Sequence, residues 1–100
     1  MTIKLKLAIG YKPQGQLNKY LEMIKVFDSS LVPSEDMSIN CNDFFDDDGI
    51  NRSANVVSVD IDIDEDAYLV NLVPIVYNCN ESDFNEIVAR YKGNGWNERT

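Results

Sequence analysis

The chain has no histidine among its 100 residues. That absence removes the commonest general base and the commonest transition-metal ligand together. Cysteine is scarce as well. Cys41 and Cys79 have no histidine to activate them and stand too far apart for a Cys-x-x-Cys motif. In a reducing cytosol the expectation is two free thiols. The five glycines form no phosphate-cradling loop after a strand, so nucleotide binding of the usual kinds is unsupported. Carboxylates alone can hydrolyse glycosides, but only as a pair in a cleft, a geometry that spacing does not supply here. These absences point away from an enzyme and imply no cofactor.

Long apolar runs are also missing. No stretch reaches the ~18 residues of a membrane span. Met1-Thr2-Ile3-Lys4-Leu5-Lys6-Leu7-Ala8-Ile9 alternates lysine with aliphatics, where a signal peptide needs an unbroken apolar core. The expected location is the cytoplasm, of the host if the chain is viral. Asn51-Arg52-Ser53 and Asn80-Glu81-Ser82 match the glycosylation pattern, which carries no meaning without a secretory route.

Positive charge is the last shortage. Nine bases face seventeen acids, for a net charge of −8. Between Asp28 and Asp66 there are twelve acids and one base, Arg52, which gives −11; the remaining five acids and eight bases give +3. Direct nucleic-acid binding normally needs a basic footprint, so that role is disfavoured, and the asymmetry suggests a directed electrostatic surface.

What is present is patterned. Thr2 to Ile9 or Gly10 reads as a strand with Ile3, Leu5, Leu7 and Ile9 inward and Lys4 and Lys6 outward. Tyr11-Lys12-Pro13-Gln14-Gly15 reads as a turn. From Gln16 to Phe27 the residues Leu17, Tyr20, Leu21, Ile24 and Phe27 recur at helical spacing and predict a helix, with Met23 and Val26 off the stripe. Residues 28–54 form a long acidic segment. In it, Ser34 is positioned to cap a short helix and Asn42 to Gly49 reads as a loop, anchored to the body by Phe44 and Phe45.

Residues 55–64 form a second strand, in which Val57, Val59, Ile61 and Ile63 alternate with Ser58, Asp60, Asp62 and Asp64. Tyr68 to Tyr77 is a third, apolar enough to be central, with Pro74 marking a bulge or an edge. The short link favours a hairpin between the two. A closing helix over Ser82–Lys92, capped by Asn80 or Ser82, turns Phe84, Ile87, Val88 and Tyr91 inward and stops at Gly93. Trp96 follows on a short last strand. The order β-α-β-β-α-(β) predicts a single α+β domain over residues 1–100: a two-layer, ferredoxin-like sandwich with two helices on one face of an antiparallel sheet.

The aspartate row at 60, 62 and 64, extended by Glu65 and Asp66, is the candidate site. Side chains two apart on a strand face stand ~6.6 Å from each other. A calcium site is one explanation. Aligning Gly49 with the glycine of an EF-hand loop places Phe44 and Asn55 at the anchoring ligand positions, where neither supplies a carboxylate. An irregular site from Asp43, Asp46, Asp47 and Asp48 is the remaining metal option, and a solvated acidic loop is favoured over it. A second explanation is pairing with Lys4 and Lys6, worth roughly 0.2–1 kcal/mol per cross-strand pair. The usual ferredoxin-like order, however, sets the lysines one strand away, with the aspartates on a charged, aggregation-resistant edge.

The third explanation is nucleic-acid mimicry. DNA presents a regular ladder of negative charge, and its binding proteins grip it largely by the backbone. Asp60, Asp62, Asp64, Glu65 and Asp66, joined by Asp46, Asp47 and Asp48, offer a similar surface to a basic groove, with Phe44 or Phe45, where exposed, as apolar anchor. In size, acidity and lack of catalytic residues the chain resembles the small acidic inhibitors that bacteriophages direct at host restriction or CRISPR machinery. The resemblance covers general character; no motif is matched and no site residue follows from it. It implies an anti-restriction or anti-CRISPR type of role and, as partner, a basic nucleic-acid-binding protein. The alternative is a non-enzymatic interaction or assembly subunit, such as a homodimer using an apolar sheet face.

Overall fold

A computed structural model describes residues 1–12 and 19–99. Among these residues the chain runs β1 (Thr2–Tyr11), β2 (Lys19–Asp28), β3 (Ser38–Phe45), β4 (Asn51–Asp62), β5 (Ala67–Leu72), β6 (Ile75–Tyr77), α1 (Glu81–Gly93) and β7 (Asn97–Glu98). The strands form one curled, mixed half-barrel sheet in the order β3-β4-β5-β1-β2-β7, with β6 also against β1.

This corrects the ferredoxin-like expectation. The predicted first helix is a strand; the part of it at Gln16 and Leu17, and most of the preceding turn, lie outside the described residues. β1 and β2 pair antiparallel without a slip from Thr2 opposite Asp28 to Tyr11 opposite Lys19. Leu21 and Met23 fall opposite Ile9 and Leu7 on the core side, and Met23 is wholly buried. The helical stripe mixes the two faces of this strand: the side turned to the core is the odd set Leu21, Met23 and Phe27, with Tyr20 and Ile24 on the other. β-Branched Ile24 and Val26 favour a strand once β1 is available as partner. The cap-like Ser34 starts no helix. Residues 29–37 instead form an extended strap tied at both ends: the Ser29 N–H donates to the Met1 carbonyl (3.1 Å), Asp36 N–H to Val56 carbonyl (3.1 Å) and Val56 N–H to Met37 carbonyl (2.8 Å). Of the loop expected at Asn42–Gly49, Asn42–Phe45 is the end of β3 and Asp46–Gly49 is the turn onto β4.

The hairpin between the acidic strand and the apolar strand is present as β4 and β5, with Val59 opposite Val70 and Asp62 opposite Ala67. The apolar strand then breaks at Val73-Pro74. Lys6 stands opposite Asn71 and Ile9 opposite Ile75, so one extra residue is accommodated where proline supplies no N–H. Both pieces run parallel to β1; β5 lies inside the sheet between β4 and β1, whereas β6 pairs with β1 alone among the described residues.

The concave face holds the core, and one end is much better filled. There α1 lies across the sheet, with Phe84, Val88 and Tyr91 buried. The Asn80 side chain caps it by accepting from the Asp83 N–H at 2.8 Å. Phe84 stacks on Tyr11 with centroids 4.5 Å apart. Tyr91 meets Phe45 at 5.1 Å and Trp96 edge-on at 5.9 Å. The Tyr77 hydroxyl donates to the Phe45 carbonyl (2.9 Å) and lies 2.8 Å from the Tyr91 hydroxyl. Burial pushes the Tyr91 phenol up to about 12, against the opposing pull of the Tyr77 hydrogen bond and of Arg52 and Arg90. At the opposite end, among the described residues, the concavity is covered by the 29–37 strap. No helix among the described residues is long and apolar enough to cross a membrane.

Candidate functional site

The acidic row begins at a bulge. Val56 stands opposite Leu72 but Ser58 opposite Asn71, so Val57 is an extra residue and the parity of β4 changes there. Upstream, Ala54 and Val56 face the core; downstream, Val59 and Ile61 take that side. The expected inward set of Val57, Val59, Ile61 and Ile63 therefore needs correction. Val57 is 54% exposed, Ile61 64% and Ile63 87%. Ile61 lies on the core side but past the end of the packed interior, and Ile63 sits in the β4–β5 turn.

Asp60 and Asp62 do share one face, the outer one, opposite Leu69 and Ala67. Asp64 departs from the row, because β4 ends at Asp62. The turn that follows is built by acids. The Glu65 N–H donates to Asp62 Oδ1 (3.2 Å), and Asp66 takes a left-handed φ of 52°. Short polar side chains tolerate that conformation better than most non-glycine residues. Asp60 accepts from the Asn71 amide at 3.3 Å.

The lysines of β1 are one strand removed, since β5 lies between. Lys4 reaches the turn and pairs with Glu65. Lys6 turns away to Glu22 (3.4 Å), which Arg99 also holds at 3.0 Å. Burial alone would raise the Glu22 carboxyl, but these two cations keep it below the usual carboxylate value. Among the described residues Asp60, Asp62, Asp64 and Asp66 have no ion-pair partner. Five acids within seven positions therefore have one ion-paired cation among the described residues. Lys6 and Arg99 line the same cleft as Asp62 and Glu65 but are paired with Glu22, and the hairpin end is left with an excess of negative charge.

The second acidic segment is elsewhere. Asp46 to Asp48 form the β3–β4 turn, at the opposite end of β4 from Asp60–Asp66. β4 advances nine residues from Asn51 to Asp60, roughly 30 Å at the usual rise per residue, in a molecule whose longest extent is 42 Å. They do not converge. Asp46 also has a structural task, accepting from the backbone N–H groups of Asp48 and Ile50 at 3.0 Å each. Asp47 accepts from the backbone N–H (2.9 Å) and side-chain amide (3.2 Å) of Asn78, tying the hairpin to the start of α1. Asp48 is exposed.

Asp43, weighed above as a calcium ligand, accepts from Lys25 Nζ at 2.5 Å and from the Trp96 indole N–H at 3.1 Å. No group of three or more candidate ligands is placed to hold a metal among the described residues. Phe44 and Phe45 are buried in the aromatic cluster, so the condition for their acting as exposed anchors is not met; they hold the hairpin to the body instead.

Asp47→Ala is expected to cost about 1 kcal/mol of unfolding free energy, the worth of an exposed hydrogen-bonded tie. It should also speed hydrogen exchange at the Asn78 amide; unchanged exchange there would contradict the tie.

Beside α1 a cleft of about 370 Å³ is lined in part by Asp47, Cys79, Asp83, Glu86 and Arg90. Burial, reinforced by Asp83 and Asp47, pushes the Cys79 thiol up. That is opposite to the shift a nucleophilic cysteine needs. Cys41 and Cys79 are separate free thiols.

The fold and the acidic end together define a small mixed-sheet half-barrel with one described helix and a charged, aliphatic-tipped hairpin. Comparison with protein-family models, curated proteins and solved structures finds no match to this chain.

Proposed function

We propose that this is a small, non-enzymatic, acidic inhibitor that binds a basic nucleic-acid-binding protein by presenting the β4–β5 end as a DNA mimic. The supporting observation is the cluster of Asp60, Asp62, Asp64, Glu65 and Asp66 on one hairpin, with Lys4 as its only ion-paired cation among the described residues. Such a field steers a basic groove toward it and repels nucleic acid itself. The proposal is narrower than the eight acids the sequence suggested, because Asp46, Asp47 and Asp48 lie at the far end.

The test is capture of lysate proteins on the immobilised chain, with elution by a salt gradient and, in parallel, by duplex DNA. The expected result is a nucleic-acid-binding protein released by both. Partners that withstand salt and ignore DNA would sink the proposal.

A second reading, a homodimer through an apolar surface, draws on β2. Among the described residues β7 pairs with Met23 and Ile24, and Val26, further along β2, is 55% exposed. Sedimentation showing a salt-insensitive dimer would favour it, since apolar contacts are little screened.

A further inference from the structure

The acidic hairpin is not the whole of that end. Beneath the 29–37 strap lies an apolar cavity of about 110 Å³, lined by Ile3, Leu5, Phe27, Leu31, Met37 and Val70 among others. Its floor is the concave sheet face. Register places Ile61, Tyr68, Ile3 and Phe27 in one row across four strands, so the hairpin's exposed Ile61 stands level with two cavity residues. Strap and sheet fix the walls through the three backbone hydrogen bonds that tie the strap down. Two aliphatics on the strap, Leu31 at 76% and Val32 at 66% exposure, remain in solvent, as do Ile61 and Ile63. Elsewhere the concave face is closed by α1 and the aromatic cluster. Here it holds an open apolar space beside exposed aliphatics.

Charge identifies the occupant. Glu35 and Asp36 lie between Pro33 and Met37, both of which line the cavity, and Asp28 directly precedes Ser29, another lining residue. Asp60 and Asp62 precede and follow Ile61 on the other face of β4, so they add to the field at this end without lining the opening. Of the nearby cations, Lys4 is paired with Glu65, and the Met1 ammonium, which donates to the neutral Ser29 carbonyl at 3.1 Å, offsets one of the three acids Asp28, Glu35 and Asp36. An apolar opening with an anionic rim suits an apolar group carried between positive charges. A second copy of this chain, itself at −8, would meet its own field.

We propose that this opening receives one leucine-sized side chain from a lysine- or arginine-rich segment of the partner. The inference rests on the inhibitor reading above and adds the apolar anchor that charge alone lacks. An apolar cavity of about 150 Å³ holds benzene, so this one matches a leucine or methionine better than a tryptophan. Charge would then set the rate of encounter and the anchored side chain the lifetime of the complex.

The probe is a synthetic peptide of alternating lysine and serine with one central leucine, compared with its leucine-to-serine and lysine-to-glutamate versions. Binding is followed through the methyl resonances of the intact protein. The leucine peptide is expected to bind at least about tenfold more tightly than the serine version, a factor consistent with burying one aliphatic side chain. It should shift Ile3, Val70 and Ile61 together. A Leu31→Ser/Ile61→Ser variant, altered only at exposed positions, should lose that preference while still binding lysine. Equal affinity for the leucine and serine peptides, with shifts confined to residues 60–66, overturns the pocket and leaves the electrostatic reading standing. Equal affinity for the glutamate version overturns the basic occupant, and no binding by the leucine peptide overturns the proposal outright.

Discussion

Replacing Phe45 with alanine is expected to lower the free energy of unfolding by about 3–5 kcal/mol, the range for truncating a buried aromatic. Phe45 is 3% exposed and stands where three parts of the chain meet. Its ring lies 5.3 Å from Tyr77 on β6 and 5.1 Å from Tyr91 on α1, with the Arg90 guanidinium 3.8 Å above it. Its carbonyl accepts from the Tyr77 hydroxyl. Truncation leaves a void beneath Arg90 and releases the end of β3, the edge strand, from the helix. A domain of this size has about 5–15 kcal/mol of stability in all, so the loss should bring the melting temperature down by on the order of 15 °C or more. Urea unfolding followed by Trp96 fluorescence measures it directly. Phe45→Leu, which keeps most of the volume, should cost far less, about 1 kcal/mol. A loss below about 1 kcal/mol for alanine would mean that Phe45 does not join the hairpin to the body.

The second large effect is functional. Asp60→Asn, Asp62→Asn and Asp64→Asn together should weaken binding to the captured partner by at least about tenfold, on the basis of roughly 0.5–1 kcal/mol per screened surface charge. The fold should survive, because asparagine retains the carbonyl oxygen that Asp60 offers Asn71 and Asp62 offers the Glu65 N–H. Removing like charges from neighbouring positions should leave the melting temperature unchanged or slightly higher. The control is Asp48→Asn, which removes an exposed charge at the opposite end of β4 and should leave affinity alone. If both variants weaken binding equally, net charge and not the β4–β5 end determines affinity.

β1 and α1 are legible in the sequence because each follows a single period and has clear punctuation, lysines alternating with aliphatics in one and Asn80 capping the other. β2 is not, since Tyr20, Leu21, Ile24 and Phe27 fit helical spacing, whereas Leu21, Met23 and Phe27 alternate as a strand, and only pairing with β1 decides between them. β3 is concealed by Asn40, Asn42 and Asp43, polar residues that an exposed edge strand tolerates. The parity change in β4 leaves just the Val56-Val57 doublet as a trace. Charge density was readable at the candidate site, whereas its geometry was not. Asp48 and Asp60 are near neighbours in sequence, yet an extended strand carries them to opposite ends of the molecule. The alternation of Ile61 and Ile63 misleads for a related reason: it shows which side of a strand a residue takes, not where the core beneath it ends. The cavity under the strap had no sequence signal, because it depends on how far the strap stands off the sheet.

The central claim is that the acidic hairpin and nucleic acid compete for one basic surface. The most direct test is displacement of fluorescent duplex DNA from the captured partner by this chain, at increasing salt. The account predicts full displacement at low salt, with a competition constant that weakens as salt rises and is lost in the Asp60, Asp62 and Asp64 variant. A ternary complex, in which the DNA stays bound while this chain also binds, would contradict it.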